Sequence, residues 1–312
     1  MKVVHSLEEI NTDKKAVVTI GTFDGVHLGH KKLFEKVVSV AKQKDYQSIV
    51  ITFDPHPRSV LQDNNQVLLL TLKNEKTEIL SDCKSDYLYI INFTKEFSQQ
   101  SSDNFVEDFL VQKLNMGVFV IGHDHKFGKD RSGDESKLKE LSLKYNFEVE
   151  VVEPVFCNDE VISSTKIRNS LISGDIKKTN KFLAREYSFN GKVIHGSTRG
   201  RILGFPTANI QPESQEKLMP QGGVYVVRCL INGVEYFGIM NIGFRPTFEE
   251  KGKLVFEVHI FDFNADIYGE EMKISFIERL RDEKKFSSKE ELIYQIERDK
   301  KKAIQTISVL IN

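Results

Sequence analysis

The chain has 312 residues, a length that favours two domains, each large enough to bury a core of its own. Hydrophobic residues make up 40% of the chain and charged residues 29%, which excludes a disordered or collagen-like polymer. The 44 basic and 45 acidic side chains nearly cancel, leaving a formal net charge of −1. This balance argues against a nucleic-acid or membrane-surface binder, because such partners require a broad cationic face.

The three cysteines, Cys83, Cys157 and Cys229, are scattered and form no CxxC pair. This pattern is typical of a reducing compartment and offers neither a disulfide framework nor a zinc site. The first residues lack the apolar core of a signal peptide, and no uncharged apolar run approaches the ~20 residues of a membrane helix. We therefore expect a cytoplasmic protein without a membrane partner.

The first part of the chain alternates apolar strands with helical segments, for example at about 29–43 and 104–114. The predicted strands are AVVTI (16–20), QSIVITF (47–53), DYLYIINF (86–93), GVFVIG (117–122) and FEVEVVE (147–153). Short buried strands that alternate with helices predict βαβ units and an open parallel sheet. Ligands of such sheets bind beyond the carboxyl ends of the strands.

From about residue 186 the pattern changes to apolar strands joined by tight turns. Asn-Gly pairs at 190–191 and 232–233 are strong hairpin signals. A final helix is predicted from a capping box, Ser287 with Glu290, to about Ile307. These features predict a small antiparallel β-barrel with a C-terminal helix. The predicted domains are residues 1–185 and 186–312.

A glycine-rich segment, GTFDGVHLGH (21–30), follows the first long strand. Its glycines allow a sharp turn and a close approach to a ligand. The helix that follows starts at the carboxyl end of the strand, so its free N–H groups form an anion site. His27 and His30 lie on one face of the first turn, where two imidazoles can donate hydrogen bonds to a phosphate in a transition state. A lone histidine is usually structural, but two in this turn favour phosphate chemistry other than that of a P-loop.

A second segment, ISSTKIRNSL (162–171), is a hydroxyl-rich helix start with Arg168 one turn later. Its hydroxyl groups could be helix N-caps. Together with Arg168 they could instead hold the outer phosphates of ATP. We favour the phosphate site because the histidine motif supplies the other part of it.

A third segment, GSTRGRILGFPTANI (196–210), places Thr207 and Asn209 on one face of a strand. A hydroxyl and an amide oxygen suit Mg²⁺ shared with ATP phosphates, although they could simply be a polar strand end. Glu257 is a carboxylate inside an otherwise apolar strand, and such residues often just face outward.

These motifs resemble those of a known enzyme family. GTFDGVHLGH and SSTKIR resemble the HxGH nucleotidyltransferase superfamily. With TFDPHP (52–57) and GHDHKFGKDRSGD (122–134), the first part is similar to the adenylyltransferase half of the bifunctional riboflavin kinase/FMN adenylyltransferases. The pattern GxxxGxxLGFPTAN at 196–209 is similar to their kinase half. The resemblance implies an α/β Rossmann-like nucleotidyltransferase domain followed by a riboflavin kinase β-barrel.

The resemblance also implies roles for individual residues. His27, His30 and Arg168 would be catalytic in adenylyl transfer, and Glu257 would be the base of the kinase. The implied ATP contacts are Gly21, Thr22, Phe23, Gly25, Ser163, Ser164, Thr165, Gly196, Arg199 and Gly200. The implied flavin contacts are Phe53, Pro55, His56, Asp124, Phe127 and Arg279, with His125 standing where the family often has an aromatic residue. Thr207 and Asn209 would serve Mg²⁺ bound with ATP.

The implied enzyme phosphorylates riboflavin to FMN and then adenylylates FMN to FAD, using ATP twice. The first step needs a base, because an alcohol is a poor nucleophile near neutral pH. In the second step the FMN phosphate is already anionic and needs only orientation and charge neutralisation. One alternative is a nucleotidyltransferase that acts on another phosphate, with the barrel as a flavin-binding regulator; another is a one-reaction enzyme with a degenerate partner domain. Thr207, Asn209 and Glu257 count against a regulator, which needs neither metal ligands nor a base.

Overall fold

A computed structural model of the chain describes residues 1–61, 67–123, 126–128, 133–196, 204–245 and 253–311. These residues form two compact units, Met1–Ser164 and Thr165–Asn312. The first is built on a parallel sheet with helices, and the second on a closed antiparallel barrel with a terminal helix. The fold class predicted from the sequence is confirmed.

Six strands form the sheet of the first unit. They are β1 (Lys2–Val4), β2 (Ala16–Ile20), β3 (Gln47–Asp54), β4 (Tyr87–Asn92), β5 (Met116–Gly122) and β6 (Glu148–Val152). All neighbouring pairs are parallel, and the spatial order is β1-β4-β3-β2-β5-β6. The five strands predicted from apolar runs are present, and the short edge strand β1 adds to them.

Helices connect these strands. They are α1 (Leu28–Lys44), α2 (Pro57–Leu61), α3 (Lys73–Ser81), α4 (Lys95–Ser98), α5 (Ser102–Asn104) and α6 (Glu135–Tyr145), with a 3₁₀ turn at Leu7–Glu9 and a π-helical segment at Phe105–Lys113. The predicted helix at 29–43 is α1. The one predicted at 104–114 is present, but most of it is π-helical. A small hairpin follows the sheet, with strands β7 (Phe156–Cys157) and β8 (Glu160–Val161).

Both faces of the sheet are buried, and this explains the continuous apolar runs of its strands. Val17 on β2 packs with Phe34 and Val37 of α1 in one core cluster. Val18 points to the other face and belongs to a second cluster with Phe119. The core therefore lies in two layers, one on each side of the central strands.

The order of the strands reverses beside β2. From β2 the chain adds β3 and then β4 on one side, whereas β5 pairs with β2 on the other side. Parallel α/β sheets bind their ligands at such a reversal, outside the carboxyl ends of the strands. The segments 21–30 and 122–134, predicted to meet phosphate and flavin, begin where β2 and β5 end.

The barrel of the second unit contains six antiparallel strands. They are β9 (Tyr187–Ile194), β10 (Ala208–Pro212), β11 (Gly223–Ile231), β12 (Val234–Arg245), β13 (Lys253–Ile260) and β14 (Glu271–Arg281). Their order is β10-β13-β12-β11-β14-β9, and pairing of β9 with β10 closes the barrel. Phe189, Phe256 and Phe276 pack together inside it.

Of the two predicted Asn-Gly turns, one is confirmed and one is wrong. Asn232 and Gly233, at φ 49° and 80°, join β11 to β12 as a tight hairpin. Asn190 and Gly191 instead lie inside β9. A Cβ on Gly191 would lie 2.6 Å from a side-chain carbon of Ile210, so here glycine permits the close approach of β10 and not a turn.

The second unit also contains the helices α7 (Ser164–Ile172), whose first residue belongs to the first unit, α8 (Ile176–Leu183) and α9 (Lys289–Ile311). The predicted capping box of α9 is one residue too early. Ser288 Oγ accepts a hydrogen bond from Glu291 N (3.1 Å), and a Glu291 carboxylate oxygen accepts one from Ser287 N (3.0 Å). The hydrogen bond from the Lys284 ammonium, with those from Ser287, lowers the pKa of Glu291 to about 2, so this carboxylate is the charged member of the cap. The helix also continues beyond the predicted end at Ile307.

Helix α8 packs on the barrel, and for that reason the compact units divide before residue 186. Asn180 Nδ2 donates to the carbonyl of Phe276 (2.8 Å), and Asn180 Oδ1 accepts from Tyr187 N (2.8 Å). The boundary of the functional domains at 185/186 stays a prediction. Among the described helices, none combines the length and the apolar character that spanning a bilayer requires.

The three cysteines are free thiols in different surroundings: Cys229 is buried in the barrel, whereas Cys83 and Cys157 are partly exposed. Burial raises the pKa of Cys229 to about 12, so at pH 8 it is a neutral, inaccessible thiol. We expect dithiobis(nitrobenzoate) at pH 8 to titrate two thiols of the folded protein and the third only after denaturation. Cys229→Ala should leave the native titre unchanged, and fast labelling of all three thiols would contradict the buried position.

Candidate active sites

The two predicted histidines meet at the N-terminus of α1. His27 is the N-cap residue, and its Nδ1 accepts a hydrogen bond from His30 N (3.4 Å). The two imidazole rings stack, with centroids 3.6 Å apart and 20° between their planes. His27 is 6% exposed and His30 is partly exposed. Two imidazoles thus lie where the free N–H groups of a helix already favour an anion.

The turn that carries these histidines has an unusual backbone held by a buried carboxylate. Phe23 and Val26 have φ values of 46° and 40°, in the left-handed region that such residues rarely adopt. Both side chains are buried in the core, which offsets the backbone strain. Asp24 Oδ1 accepts hydrogen bonds from Leu70 N (2.9 Å) and Thr71 N (3.1 Å), so the turn is tied to the segment before α3.

The predicted ATP contacts of this turn have different surroundings. Gly21 and Thr22 are partly exposed at the end of β2, whereas Gly25 is buried at φ 85°. The ring of Phe23 packs edge-on against His30, with centroids 5.2 Å apart, so it supports the histidine from the core. Gly25 N donates to the side-chain oxygen of Thr71 (3.1 Å).

Ser164, in the first unit, contacts the histidine turn. Ser164 Oγ donates to the carbonyl oxygen of Asp24 (2.8 Å). Ser163 is partly buried beside it. Thr165 and Arg168 belong to the second compact unit, and their contacts with ATP stay predictions.

The segment TFDPHP lies at the end of β3. Phe53 is partly buried and packs edge-on against Phe93, with centroids 5.3 Å apart. Pro55 is exposed, and His56 Nδ1 accepts a hydrogen bond from Arg58 N (3.1 Å). This segment follows the strand next to β2, so the structure places it at the same sheet edge as the histidines.

Phe127, predicted to contact flavin, is a core side chain. It is 8% exposed, and its ring packs against Phe105 and Phe119. Its backbone N–H and carbonyl both pair with Gly133 (3.0 and 2.9 Å). The ring therefore packs in the core, and its contact with flavin stays a prediction. Asp124 and His125 lie outside the described residues.

Three polar side chains form a row across neighbouring barrel strands. Asn209 on β10 is the register partner of Glu257 on β13, and Glu257 is the partner of Asn241 on β12. Their strand neighbours Ile210 and Phe256 are buried inside the barrel, so this polar row lies on its outer face. Asn209 is 7% exposed, and Glu257 and Asn241 are partly buried. The structure therefore brings the predicted base beside a predicted metal ligand.

A histidine holds the segment before β10. His259 Nδ1 lies 2.8 Å from the carbonyl oxygen of Pro206, and its ring packs edge-on against Phe205 with centroids 5.5 Å apart. Burial lowers the pKa of His259, although the Pro206 carbonyl acts in the opposite direction. The ring is therefore neutral at pH 7, and Nδ1 carries the proton that it donates. This contact anchors Thr207, the next residue of the chain.

Gly196 lies against the polar row. A Cβ on Gly196 would lie 1.9 Å from Asn209 Nδ2 and 2.2 Å from its Cγ. A larger residue at position 196 would therefore displace this amide. Arg199 and Gly200 of the same predicted loop lie outside the described residues.

Arg279 on β14 is held by its own chain. Its Nε donates to the Tyr225 hydroxyl (3.3 Å), and its Nη2 donates to the Gly222 carbonyl and to Asp282 (both 2.7 Å). A Cβ on Gly174 would lie 2.7 Å from Arg279 Cδ, so the loop before α8 also packs against it. The contact of this arginine with flavin stays a prediction.

Sequence reasoning does not identify Asp24, Asn241 or His259 as parts of these sites. Asn241 joins the polar row only through the pairing of β12 with β13, which no local pattern shows.

Comparison with known proteins matches each unit separately. Residues 9–166 match the FAD synthetase family, and residues 183–307 match the riboflavin kinase family. The bifunctional riboflavin kinase/FMN adenylyltransferase of Listeria monocytogenes is 39% identical over 307 residues, which cover 96% of each chain. The chain belongs to the bifunctional riboflavin kinase/FMN adenylyltransferase family.

Other proteins are similar to the chain over nearly its whole length. The bifunctional riboflavin kinase/FMN adenylyltransferase of Buchnera aphidicola subsp. Acyrthosiphon pisum is 38% identical over 299 residues, covering 95% of this chain and 94% of that one. The crystal structure of a Streptococcus pneumoniae protein, described as a macrolide-efflux protein, has a TM-score of 0.87 and 32% identity over 96% of this chain and 97% of its own. Both halves of the riboflavin kinase/FMN adenylyltransferase fold are therefore present in one chain.

Proposed function

We propose that the chain performs two consecutive reactions: ATP phosphorylates riboflavin to FMN at the polar row, and a second ATP adenylylates FMN to FAD at the stacked histidines. The observation that carries the proposal is that each region matched by an enzyme family holds its own polar site. A barrel serving only as a flavin-binding regulator would not need Glu257 beside Asn209. The free, scattered cysteines support a cytoplasmic location.

In adenylyl transfer, an FMN phosphate oxygen attacks the α-phosphorus of ATP. A new P–O bond forms, the bond from the α-phosphorus to the bridging oxygen breaks, and pyrophosphate leaves with the electron pair. His27 and His30 donate hydrogen bonds to the phosphate oxygens, and the N-terminus of α1 favours their negative charge. Arg168 and the serines at the start of α7 would hold the outer phosphates. The anionic nucleophile needs no base.

In the kinase step, the ribityl hydroxyl of riboflavin attacks the γ-phosphorus of ATP and ADP leaves. Glu257 accepts the hydroxyl proton as the new O–P bond forms. The hydroxyl of Thr207 and the buried amide of Asn209 would suit a hard cation, because both offer neutral oxygen ligands and Asn209 is the register partner of Glu257. When bound with ATP, Mg²⁺ neutralises charge on the outer phosphates.

The test is incubation of the purified chain with riboflavin, ATP and Mg²⁺, followed by chromatography of the flavins. We expect FMN to appear first and FAD to follow, and we expect FMN supplied alone with ATP to give FAD directly. A folded sample that forms neither product would overturn the proposal. FMN as the only product, or FAD from FMN without any use of riboflavin, would each support a one-reaction enzyme with a degenerate partner domain.

Replacing Gly196 by alanine should separate the two reactions. The new methyl group would overlap the Asn209 amide and displace it from the polar row. We expect kcat for riboflavin phosphorylation to fall about 100-fold, the cost of a misplaced group of this kind. FAD formation from supplied FMN is the internal control and should not change. An unchanged kinase rate would show that the position of Asn209 does not matter.

A further inference from the structure

A lysine outside the predicted sites is buried beneath the carboxyl edge of the parallel sheet. Lys76 on α3 is 8% exposed and shares its helix face with Leu72 and Leu80, which are also buried. Placing a charged amine in such surroundings is costly unless every N–H finds an acceptor. The hydrogen-bond acceptors of the Lys76 ammonium therefore indicate its role.

The Lys76 ammonium donates three hydrogen bonds, one for each of its N–H groups. Its acceptors are the carbonyl oxygen of Thr22 (3.3 Å), the hydroxyl of Thr52 (3.2 Å) and the carbonyl oxygen of Phe53 (3.1 Å). The Thr52 hydroxyl in turn donates to the Thr22 carbonyl (3.3 Å). One side chain thus joins the first residues after β2 to the last residues of β3.

These contacts begin where the pairing of the two strands stops. Beyond the end of β2, Gly21 N still donates to the carbonyl of Ile51 (3.1 Å). After that bond the chain leaves the sheet toward the histidines, whereas β3 continues to Asp54 in pairing with β4. Lys76 continues the connection, to Thr22 on one side and to Thr52 and Phe53 on the other. It therefore fixes the turn after β2 against the end of β3, where the pairing of β2 with β3 has stopped.

The charge around Lys76 is consistent with a fixed ammonium at this point. Burial lowers the pKa of Lys76, and the carboxylates of Asp24 and Asp54 oppose that shift, whereas Lys73 adds to it. Asp24 is itself held by Leu70 N and Thr71 N in the histidine turn. The Lys76 ammonium is thus attracted by one carboxylate from each of the two segments that it joins.

We infer that Lys76 is a positioning residue for FMN adenylylation, which sets the distance between the turn assigned to ATP and the turn assigned to flavin. The inference rests on the proposed function of the first unit. Lys76 contacts neither phosphate nor flavin in this scheme, and it acts through the backbone of Thr22 and Phe53. Each turn keeps its own binding groups when Lys76 is changed, but the two substrates lose their alignment.

This scheme predicts a particular split between kinetic constants for Lys76→Met, which keeps the length of the side chain and removes its N–H groups. We expect kcat for FAD formation from FMN to fall about 30-fold, within the range that a misplacement of up to 1 Å produces. KM for ATP and KM for FMN should each change less than about 3-fold. Lys76→Arg, which keeps the charge and the donors, should recover most of kcat. A rise of either KM with kcat unchanged, or no change at all, would overturn the inference.

Lys73→Met is the matched control, because it removes the same charge from the same helix. The Lys73 ammonium contacts the partly exposed carboxylate of Asp54 (2.9 Å) and is itself about half exposed. We expect its adenylylation kcat to stay within about 2-fold of the unchanged chain, since exposed pairs contribute little. An equal loss in both lysine variants would assign the effect to charge and not to the three hydrogen bonds.

Thermal unfolding of the same samples reports whether the first unit is folded, and riboflavin phosphorylation reports the second. If Lys76→Met failed to fold, Thr52→Val would replace it as the test, because this change has nearly the same shape and removes only the shared hydroxyl. It should show the same split with a smaller fall in kcat, and an unchanged kcat would overturn the inference. Failure of the unchanged chain to form FAD from FMN would overturn the proposed function itself, so the two failures are distinguishable.

Discussion

His30→Ala should abolish formation of FAD from FMN and ATP while formation of FMN from riboflavin continues. The imidazole of His30 lies 3.6 Å from that of His27, at the N-terminus of α1. Removing one such donor from a preorganised phosphate site costs about 100- to 1000-fold in kcat. The measurement is the initial rate of each reaction on one sample, with FMN supplied for the second.

The same result is expected for His27→Ala, but that change also removes the helix cap. Loss of a capping acceptor costs about 1 kcal/mol of stability. His27→Asn is the matched control, because asparagine is a good N-cap residue and has no imidazole. Thermal unfolding should be normal for His27→Asn, and its FAD formation should still be lost. If either alanine variant lost both reactions while folded, the assignment of two separate sites would be wrong.

Glu257→Ala is expected to have the opposite effect. Without a carboxylate in the polar row, the ribityl hydroxyl has no positioned proton acceptor, and FMN formation should fall about 100- to 10,000-fold. FAD formation from supplied FMN should be unchanged. Flavin chromatography at a fixed time, with riboflavin in one reaction and FMN in the other, distinguishes these outcomes.

Two further variants decide whether Glu257 acts as a base. Glu257→Gln keeps the size and hydrogen bonding of the side chain but cannot accept the proton, so it should be as inactive as the alanine variant. Glu235→Gln makes the same change at an exposed glutamate on β12 that pairs with Arg228 (2.9 Å), and it should leave both reactions unchanged. A kinase that remained active with Glu257→Gln would contradict the assignment of a base.

The fold is predictable from sequence wherever burial dictates the pattern. The strand that contains Val17 and Val18 is buried on both faces, and its apolar run is therefore continuous. Asn190 and Gly191 show the limit of local signals. The same pair that forms a hairpin at 232–233 lies inside a strand here, because β10 approaches the glycine closely.

The candidate sites are predictable where chemistry is local in sequence and not where it depends on pairing. His27 and His30 are three residues apart on one helix, so their spacing alone brings them together. Asn209 and Glu257 are neighbours only through the register of β10 with β13. The pattern of the loop around Phe127 does not show that its ring packs against Phe105 and Phe119, and its contact with flavin stays a prediction.

Side chains along β13 alternate between the barrel interior and its outer face, and this decides which mutations the strand tolerates. Phe256 and Val258 fill the barrel, whereas Glu257 faces away from it. Hydrophobic exchanges of similar volume at the two inner positions can therefore tune thermal stability while the kinase chemistry is left alone. Insertion or deletion of a single residue in this strand would exchange the two faces and lose both properties together. Substitutions should thus be far better tolerated along β13 than changes of its length.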